Sequence, residues 1–493
     1  MALTPSLHDK GDEQLRHYIM FISSMYLAMR CLEMRKYDMQ PTTDNLISSI
    51  TKNITGRNQN IYYLLKLLNF QEEAMSIAIN GSWGTGKTFF IKQCQLMLDN
   101  AFSEENNKVV QAKKTLCPGE EALANIQKTH FITAYYDAWE HDSEEDPIAS
   151  LIRCLATTDW STTAKVALGK TAEIGASILK ATTNIDLTTL AKTLKDNGND
   201  LLKADNIESL KNKFNATLTK LAPNQGKLII FVDELDRCKP TYAVKLLERI
   251  KHYFNNPNVT FIFAVDLAQL QHTINQYYGL QFNGYQYLDR FFDLVISLPE
   301  PDVDRYFNNT KNILEAAQHF EKLDPKNSYY YLFCKELIDH FSFSLRQINH
   351  FYLKTNSATY YILDRIINYH GISNTSQRSG KFIIYEFILP LMNALSQIDI
   401  KEYTNFISGN ASKDTLDILT DSEYFSKFYK EMLYNKSDID ISKGVLDIYN
   451  AIFKDSKSTS LKISDQCEIN NPRQYRKELI NACSLLSSEA KIN

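Results

Sequence analysis

Apolar residues recur along this chain in two rhythms. Up to residue 70 they keep mainly helical spacing, ending in the periodic run Ile61–Phe70, before a short apolar run at Met75–Ile79 leads into a glycine-rich turn. Four further short runs follow: His130–Tyr136, Lys227–Val232, Val259–Val265 and Asp293–Leu298. Each is apolar or β-branched and alternates with helical segments, which predicts an α/β fold built on a parallel sheet. Between His130–Tyr136 and Lys227–Val232 the chain keeps helical periodicity with many Thr, Lys, Asn and Asp residues, over a length no ordinary βα connection needs. It reads as a helical insertion. Its most apolar part, Thr162–Ala181, carries Lys165, Lys170, Glu173 and Lys180, which argues against a membrane span and for a helical hairpin packed on the sheet. After Pro299-Glu300-Pro301, helical spacing returns in Tyr330–Phe341, Leu345–Leu353 and Phe382–Leu395, while Lys454–Ser460 reads as an exposed loop or linker. The expected organisation is a helical segment (1–43), a P-loop core (44–145 and 222–300), a helical insertion (146–221) and a helical C-terminal region (301–493).

Composition changes this picture little. At 493 residues, with 44% apolar and 23% charged residues, the chain can bury more than one core. A formal net charge of -4 exerts no global pull on phosphate backbones, so nucleic acid stays a partner only through a local basic patch, with Lys108–Lys114 and Arg473–Lys477 as thin candidates that read equally as solvated surface. Eight cysteines without metal-ligand spacing read as reduced, buried thiols of a cytoplasmic protein. The run Tyr18–Met29 falls short of the roughly 20 residues a spanning helix needs, so no membrane span is expected.

The chemistry is concentrated in two motifs. Gly81-Ser82-Trp83-Gly84-Thr85-Gly86-Lys87-Thr88 matches G-x-x-x-x-G-K-[ST] after a strand and before a helix. Its glycines let backbone N–H groups curl around phosphates, Lys87 meets the β/γ-phosphate charge, and the Thr88 hydroxyl ligates Mg²⁺ at a helix start that itself favours anions; Phe89 follows in that first turn. Lys227-Leu-Ile-Ile-Phe-Val-Asp233-Glu234 supplies the second half. Asp233 is expected to hold Mg²⁺ and Glu234 to polarise the attacking water, with Asp236 next in line as base. Asp266 closes a neighbouring strand and reads either as a γ-phosphate sensor or as a helix N-cap. Arg290 reads either as an arginine that completes a neighbouring subunit's site or as half of a structural salt bridge.

These motifs together resemble the KAP family of P-loop NTPases. The tryptophan inside the phosphate loop, Tyr135-Tyr-Asp-Ala-Trp139-Glu140 followed by acidic residues and Asp146-Pro147, Asp233-Glu-Leu-Asp236-Arg237-Cys238, Tyr287–Pro299 and Ser344-Leu-Arg346-Gln-Ile-Asn carry the likeness over roughly residues 44–353. The resemblance implies an additional-strand core related to the AAA+ and STAND groups, ATP as the nucleotide, and Arg346 as a second sensor. It also implies a bacterial ATPase that switches assembly as a homo-oligomer with a protein effector partner, in defence against phages. Two departures stand out: Glu234 replaces the second Asp of many members, and the insertion is too polar for the transmembrane helices some members carry there. Trp139 stays open between a core aromatic and a nucleotide-sensing or interface residue. Asp236 and Arg237 read as a local ion pair orienting Glu234, or Arg237 as facing a partner subunit, and Cys238 as packed. Two other functions compete with the switch: a motor or clamp loader-like ATPase on nucleic acid, and a scaffold that binds ATP with negligible turnover.

Overall fold

Five short strands, none longer than seven residues, pair side by side in parallel to make the sheet on which everything else is built. The computed structural model describes residues 40–101, 106–147, 150, 151, 154, 227–253, 257–309, 328–370, 381–433, 439–454, 460–464 and 467–484. The expectations for Tyr18–Met29, Thr162–Ala181 and nearly all of the insertion 146–221 lie outside the described residues. The chain divides into two compact units, one of Met39–Ile313 with Lys326–Ile348, the other of Met1–Asp38, Leu314–Pro325 and Asn349–Asn493.

In the first unit the elements run α1 (Thr43–Lys52), α2 (Asn58–Phe70), β1 (Ser76–Asn80), α3 (Lys87–Asp99), α4 (Asn107–Leu116), α5 (Glu120–Ile126), β2 (Phe131–Asp137), β3 (Lys227–Asp233), α6 (Pro240–Tyr253), β4 (Val259–Val265), α7 (Leu267–Tyr278), α8 (Gly284–Leu288), β5 (Leu294–Ser297), α9 (Val303–Asn309) and α10 (Tyr329–His340). The start of the long helix α11 (Leu345–His370) also belongs here. Strand order is β2-β3-β4-β1-β5, so β4 is an additional strand between the one that leads into the glycine-rich turn and the one that ends in Asp233. The alternation read from sequence is the physical basis of the layers, because successive side chains of a strand face opposite sides. Ile77, Ile79, Ile229, Phe231, Ile262 and Ala264 pack with α1, α2 and α3 on one face. Ala78, Ile230, Val232, Phe261, Phe263 and Val265 pack with α6 and α7 on the other. β3 and β4 are buried along their whole length, as central parallel strands must be, which is why both read as nearly unbroken apolar runs.

Register aligns the carboxyl ends of the strands. Asn80 lies opposite Val265 and Ser297, and Asp233 lies opposite Asp137 and Ala264. Open parallel sheets bind ligands at this edge.

The second unit is mainly helical. A turn of helix at Lys381–Ile383 passes through a π-helical stretch, Ile384–Ile388, into α12 (Leu389–Ile398), followed by α13 (Ile400–Ile407), α14 (Lys413–Asp421), α15 (Glu423–Met432), α16 (Ile441–Phe453) and α17 (Pro472–Ser484). Aromatic packing holds it: Phe387 meets Phe425 and Phe428 with ring centroids 5.2 Å apart. An antiparallel pair, β6 (Ser460–Ser464) and β7 (Cys467–Asn470), precedes α17. Ser460, read from sequence as the end of a loop, opens β6 instead; SLKIS alternates polar and apolar residues, but over five positions with only two apolar ones it is too short to stand out.

Candidate functional site

The glycine-rich turn leaves β1 with the Gly81 N–H donating to the Val265 carbonyl at 3.2 Å, which pins the loop's start to the additional strand. Gly84 and Gly86 take positive φ values of 84° and 91°, a region open to glycine at little cost. Inside the loop, the Thr85 hydroxyl donates to the Ser82 carbonyl at 2.8 Å, and the buried Lys87 ammonium donates to the carbonyls of Gly81 (2.7 Å) and Ser82 (3.3 Å). Within α3, Phe90 N–H bonds back to the Gly86 carbonyl at 2.9 Å, so the amides of Lys87, Thr88 and Phe89 are the first-turn donors that a helix cannot satisfy internally. Phe89 thus belongs to the site by its backbone; its side chain is buried.

Two groups escaped the sequence reading, one anchoring this loop and one anchoring Asp233. Arg57, 2% exposed, donates from Nη1 to the Thr85 carbonyl at 2.7 Å and from Nε and Nη2 to the Pro299 carbonyl at 3.0 and 2.5 Å. It ties the loop to the segment after β5. Burial lowers its pKa to about 10, with Glu300 opposing. Nothing in the sequence near Arg57 marks it, because its partners are backbone atoms far along the chain. Tyr135, noticed only as part of a motif, donates its hydroxyl to Asp233 Oδ2 at 3.0 Å, and the Lys92 ammonium lies 3.0 Å from its ring centroid. Burial brings Lys92 down to about 8, against the attraction of Asp233, Asp137 and Asp99.

Asp233 sits at the end of β3, 1% exposed, and hydrogen-bonds Thr88, Tyr135 and the Glu234 amide. Burial nevertheless raises its pKa above the ordinary aspartate value, outweighing those bonds. The pairing of a hydroxyl with a buried carboxylate is a set of hard oxygens, and a dication would supply the charge compensation that burial withholds. Thr88 and Asp233 therefore fit Mg²⁺. Glu234 follows at φ 59°. Burial first, then neighbouring Asp233, push its carboxyl up to about 7, with Arg237 opposing. Burial also lowers Lys87, opposed by Asp236, Asp266, Asp233 and Glu234, so these carboxylates act on one ammonium.

The remaining expectations divide. Asp266 accepts from the Ala268 and Gln269 amides at 3.1 and 3.2 Å, so it is the N-cap of α7 while its charge still reaches Lys87. The Arg346 amide donates to the Gly84 carbonyl at 3.3 Å, where Ser344 and Gln347 form a capping box at the start of α11 and leave the Arg346 side chain exposed beside the loop. Asp236 does not pair with Arg237: it accepts from Trp83 Nε1 at 2.6 Å, and Arg237 Nε pairs with Glu234 Oε2 at 2.5 Å instead. Trp139 is 52% exposed, in the turn after β2, so its reading as a core aromatic is corrected: the strand ends at Asp137, whose side chain accepts the Trp139 amide at 3.0 Å and turns the chain outward. Cys238 is packed, and burial raises its thiol pKa. Arg290 is exposed in the turn after α8 and makes no ion pair among the described residues; its amide donates to the Tyr287 carbonyl at 3.2 Å. Of the basic candidates, Lys113 is buried and donates to the Ala101 carbonyl, and Lys108 pairs with Asp44 at 2.8 Å. No helix among the described residues is long and apolar enough to cross a membrane.

Comparison with curated proteins found no match. Among solved structures, the ORC2 protein of Aeropyrum pernix (ADPNP–ADP complexes) aligns over 88% of this chain and 93% of its own at 12% identity, and the ORC1 protein of the same organism in complex with DNA over 92% and 95% at 13%. Both superpose with a TM-score of 0.30, too low to bear on ligand or activity. The KAP family P-loop domain matches residues 57–362, which take in the phosphate loop, the Asp233-Glu234 strand end and the start of α11. A domain match over more than half of the chain, on a parallel sheet whose carboxyl edge gathers these groups, places this protein in the KAP family of P-loop NTPases.

Proposed function

We propose that this protein is an ATPase in which Glu234 is the general base and nucleotide state switches assembly. The observation that carries the reading is the side-by-side arrangement of Thr88, Asp233 and Glu234 at the head of the Lys87 loop, because a nucleotide-binding module alone has no need of a second carboxylate beside the metal ligand. The first-turn amides of α3 and Lys87 would hold the phosphates, and Thr88 with Asp233 would hold Mg²⁺, which would supply charge neutralisation for phosphoryl transfer. Glu234, with a carboxyl pushed up to about 7, takes the proton of the attacking water. ATP as the nucleotide follows from the family.

Assembly is the switched output in this reading because Arg290 is exposed and pairs with no acid among the described residues, as an arginine that completes a neighbouring subunit's site would be. A second copy would place it at a neighbouring site, with Arg346 as the sensor in cis. A protein effector partner and a role in phage defence rest on analogy with the family. The nucleic-acid motor has less support, since Lys113 and Lys108 are already engaged.

The test is ATP turnover with sizing of the purified chain in ADP and in a non-hydrolysable ATP analogue. Wild type should turn over and grow in size with the analogue. Glu234→Gln should bind ATP while losing turnover by about 100-fold or more. Lys87→Ala should lose nucleotide binding. A fully active Glu234→Gln variant sinks the base assignment, and unchanged size in both nucleotides sinks the assembly switch.

A further inference from the structure

Trp83 and Trp139 are exposed by 47% and 52%, unusual for tryptophans at the edge of a buried site. One cation lies within reach of both. The Arg237 guanidinium carbon is 5.8 Å from the Trp83 ring centroid and 5.5 Å from that of Trp139, both within reach of cation–π attraction. Its Nε meets Glu234 Oε2 at 2.5 Å, and Glu234 Oε1 accepts no hydrogen bond among the described residues. One carboxylate oxygen is therefore fixed while the other is not engaged by a hydrogen bond among the described residues. Trp83 is itself held by its indole N–H, which donates to Asp236 Oδ2 at 2.6 Å; Asp236 is 5% exposed in the 3₁₀ turn Leu235–Arg237. A residue of the phosphate loop thus touches the turn that carries the arginine, and also the arginine.

We propose that Arg237 is a positioning residue for Glu234, held in place by Trp83 and Trp139, so that the conformation of the phosphate loop is transmitted through Trp83 and Arg237 to the base. The two indoles restrict a long, otherwise mobile side chain, and its planar fork orients the carboxylate in a way an ammonium cannot reproduce. Displacing a catalytic group by about 1 Å is enough to cost on the order of 100-fold in rate. The inference rests on the reading of Glu234 as the base.

The experiment uses the full chain in a Trp160→Phe background, so that emission comes from Trp83 and Trp139 alone. Steady-state ATP hydrolysis, nucleotide affinity and tryptophan emission are measured for the parent and for Arg237→Ala, Arg237→Lys, Trp83→Phe and Glu234→Gln. Arg237→Ala should lower kcat by about 10- to 100-fold, with nucleotide Kd kept within about threefold, and millimolar guanidinium should restore part of the rate. Nucleotide should change the emission of the parent, and that change should be lost in Arg237→Ala. Trp83→Phe, which keeps a ring but loses the bond to Asp236, should lower kcat less. If Arg237→Ala does not fold, Arg237→Lys is read in its place and should show a reduced kcat at unchanged Kd. An unchanged or raised kcat in the arginine variants, or a loss confined to Kd, overturns the proposal. Should Glu234→Gln be active, the base assignment fails; should it be inactive while Arg237→Ala is normal, only this inference fails.

Discussion

Gly86 takes φ 91°, and a Cβ built there would lie 3.1 Å from Leu345 Cδ1 and 3.5 Å from Arg57 Nη1. The backbone conformation therefore favours glycine, and a Cβ would in addition press the Leu345 side chain to give way slightly. Gly86→Ala should cost about 1–3 kcal/mol in urea unfolding and strip the loop of nucleotide affinity; unchanged stability and affinity would contradict this geometry. Asp99 illustrates a different cost. Burial raises its carboxyl to about 6, against the opposing bond from the Thr133 hydroxyl at 2.7 Å and the charge of Lys92. The folded state then holds its proton to higher pH than the unfolded chain does, so stability falls as pH rises from about 4 to 6 and stays reduced above. Asp99→Asn, which keeps an acceptor for Thr133, should raise stability at pH 7 by on the order of 1 kcal/mol and leave it nearly unchanged at pH 4. Thermal melts at the two pH values check the sign.

Among the elements, the strands and the glycine loop were legible because their signals are local. A buried parallel strand must be apolar on both faces, and all five runs read from sequence form strands within a residue or two of the expected bounds. The antiparallel pair β6–β7 was not, because two strands of five and four residues give too brief an alternation and gain their pairing only from each other. Arg57 was equally hidden. It sits at the cap of α2 and bonds carbonyls at Thr85 and Pro299, joining three segments distant in sequence. Arg57→Met would leave those carbonyls without their charged donor. A loss of about 2–4 kcal/mol in denaturant unfolding is expected, together with weaker nucleotide binding. An unmoved midpoint would show that the clamp is dispensable.

For the whole molecule, the site's carboxylates, ammonium and first-turn amides come from one unit, and Arg290 is an expected cation that is exposed and forms no ion pair among the described residues. If assembly brings it to a neighbour, Arg290→Ala should keep nucleotide affinity within about threefold while lowering turnover per site in the assembled form by at least about tenfold. Turnover measured across a dilution series separates the cases. A wild-type rate per site that does not depend on concentration would remove Arg290 from the mechanism.

The order of strands and loops, the phosphate loop and the acidic end of β3 were determined by the sequence itself, because each is a short local pattern whose physical requirement is strict. Glycines are needed where φ is positive, apolar residues where a strand is covered on both sides, and a hydroxyl and a carboxylate where a cation is held. Only the folded chain decided that Arg237 pairs with Glu234 and Asp236 with Trp83. It alone exposed Trp139, buried Lys113 and brought Arg57 to the loop. Such partners lie between 3 and 242 positions apart, and side-chain geometry at the carboxyl edge of the sheet, rather than spacing along the chain, selects among them.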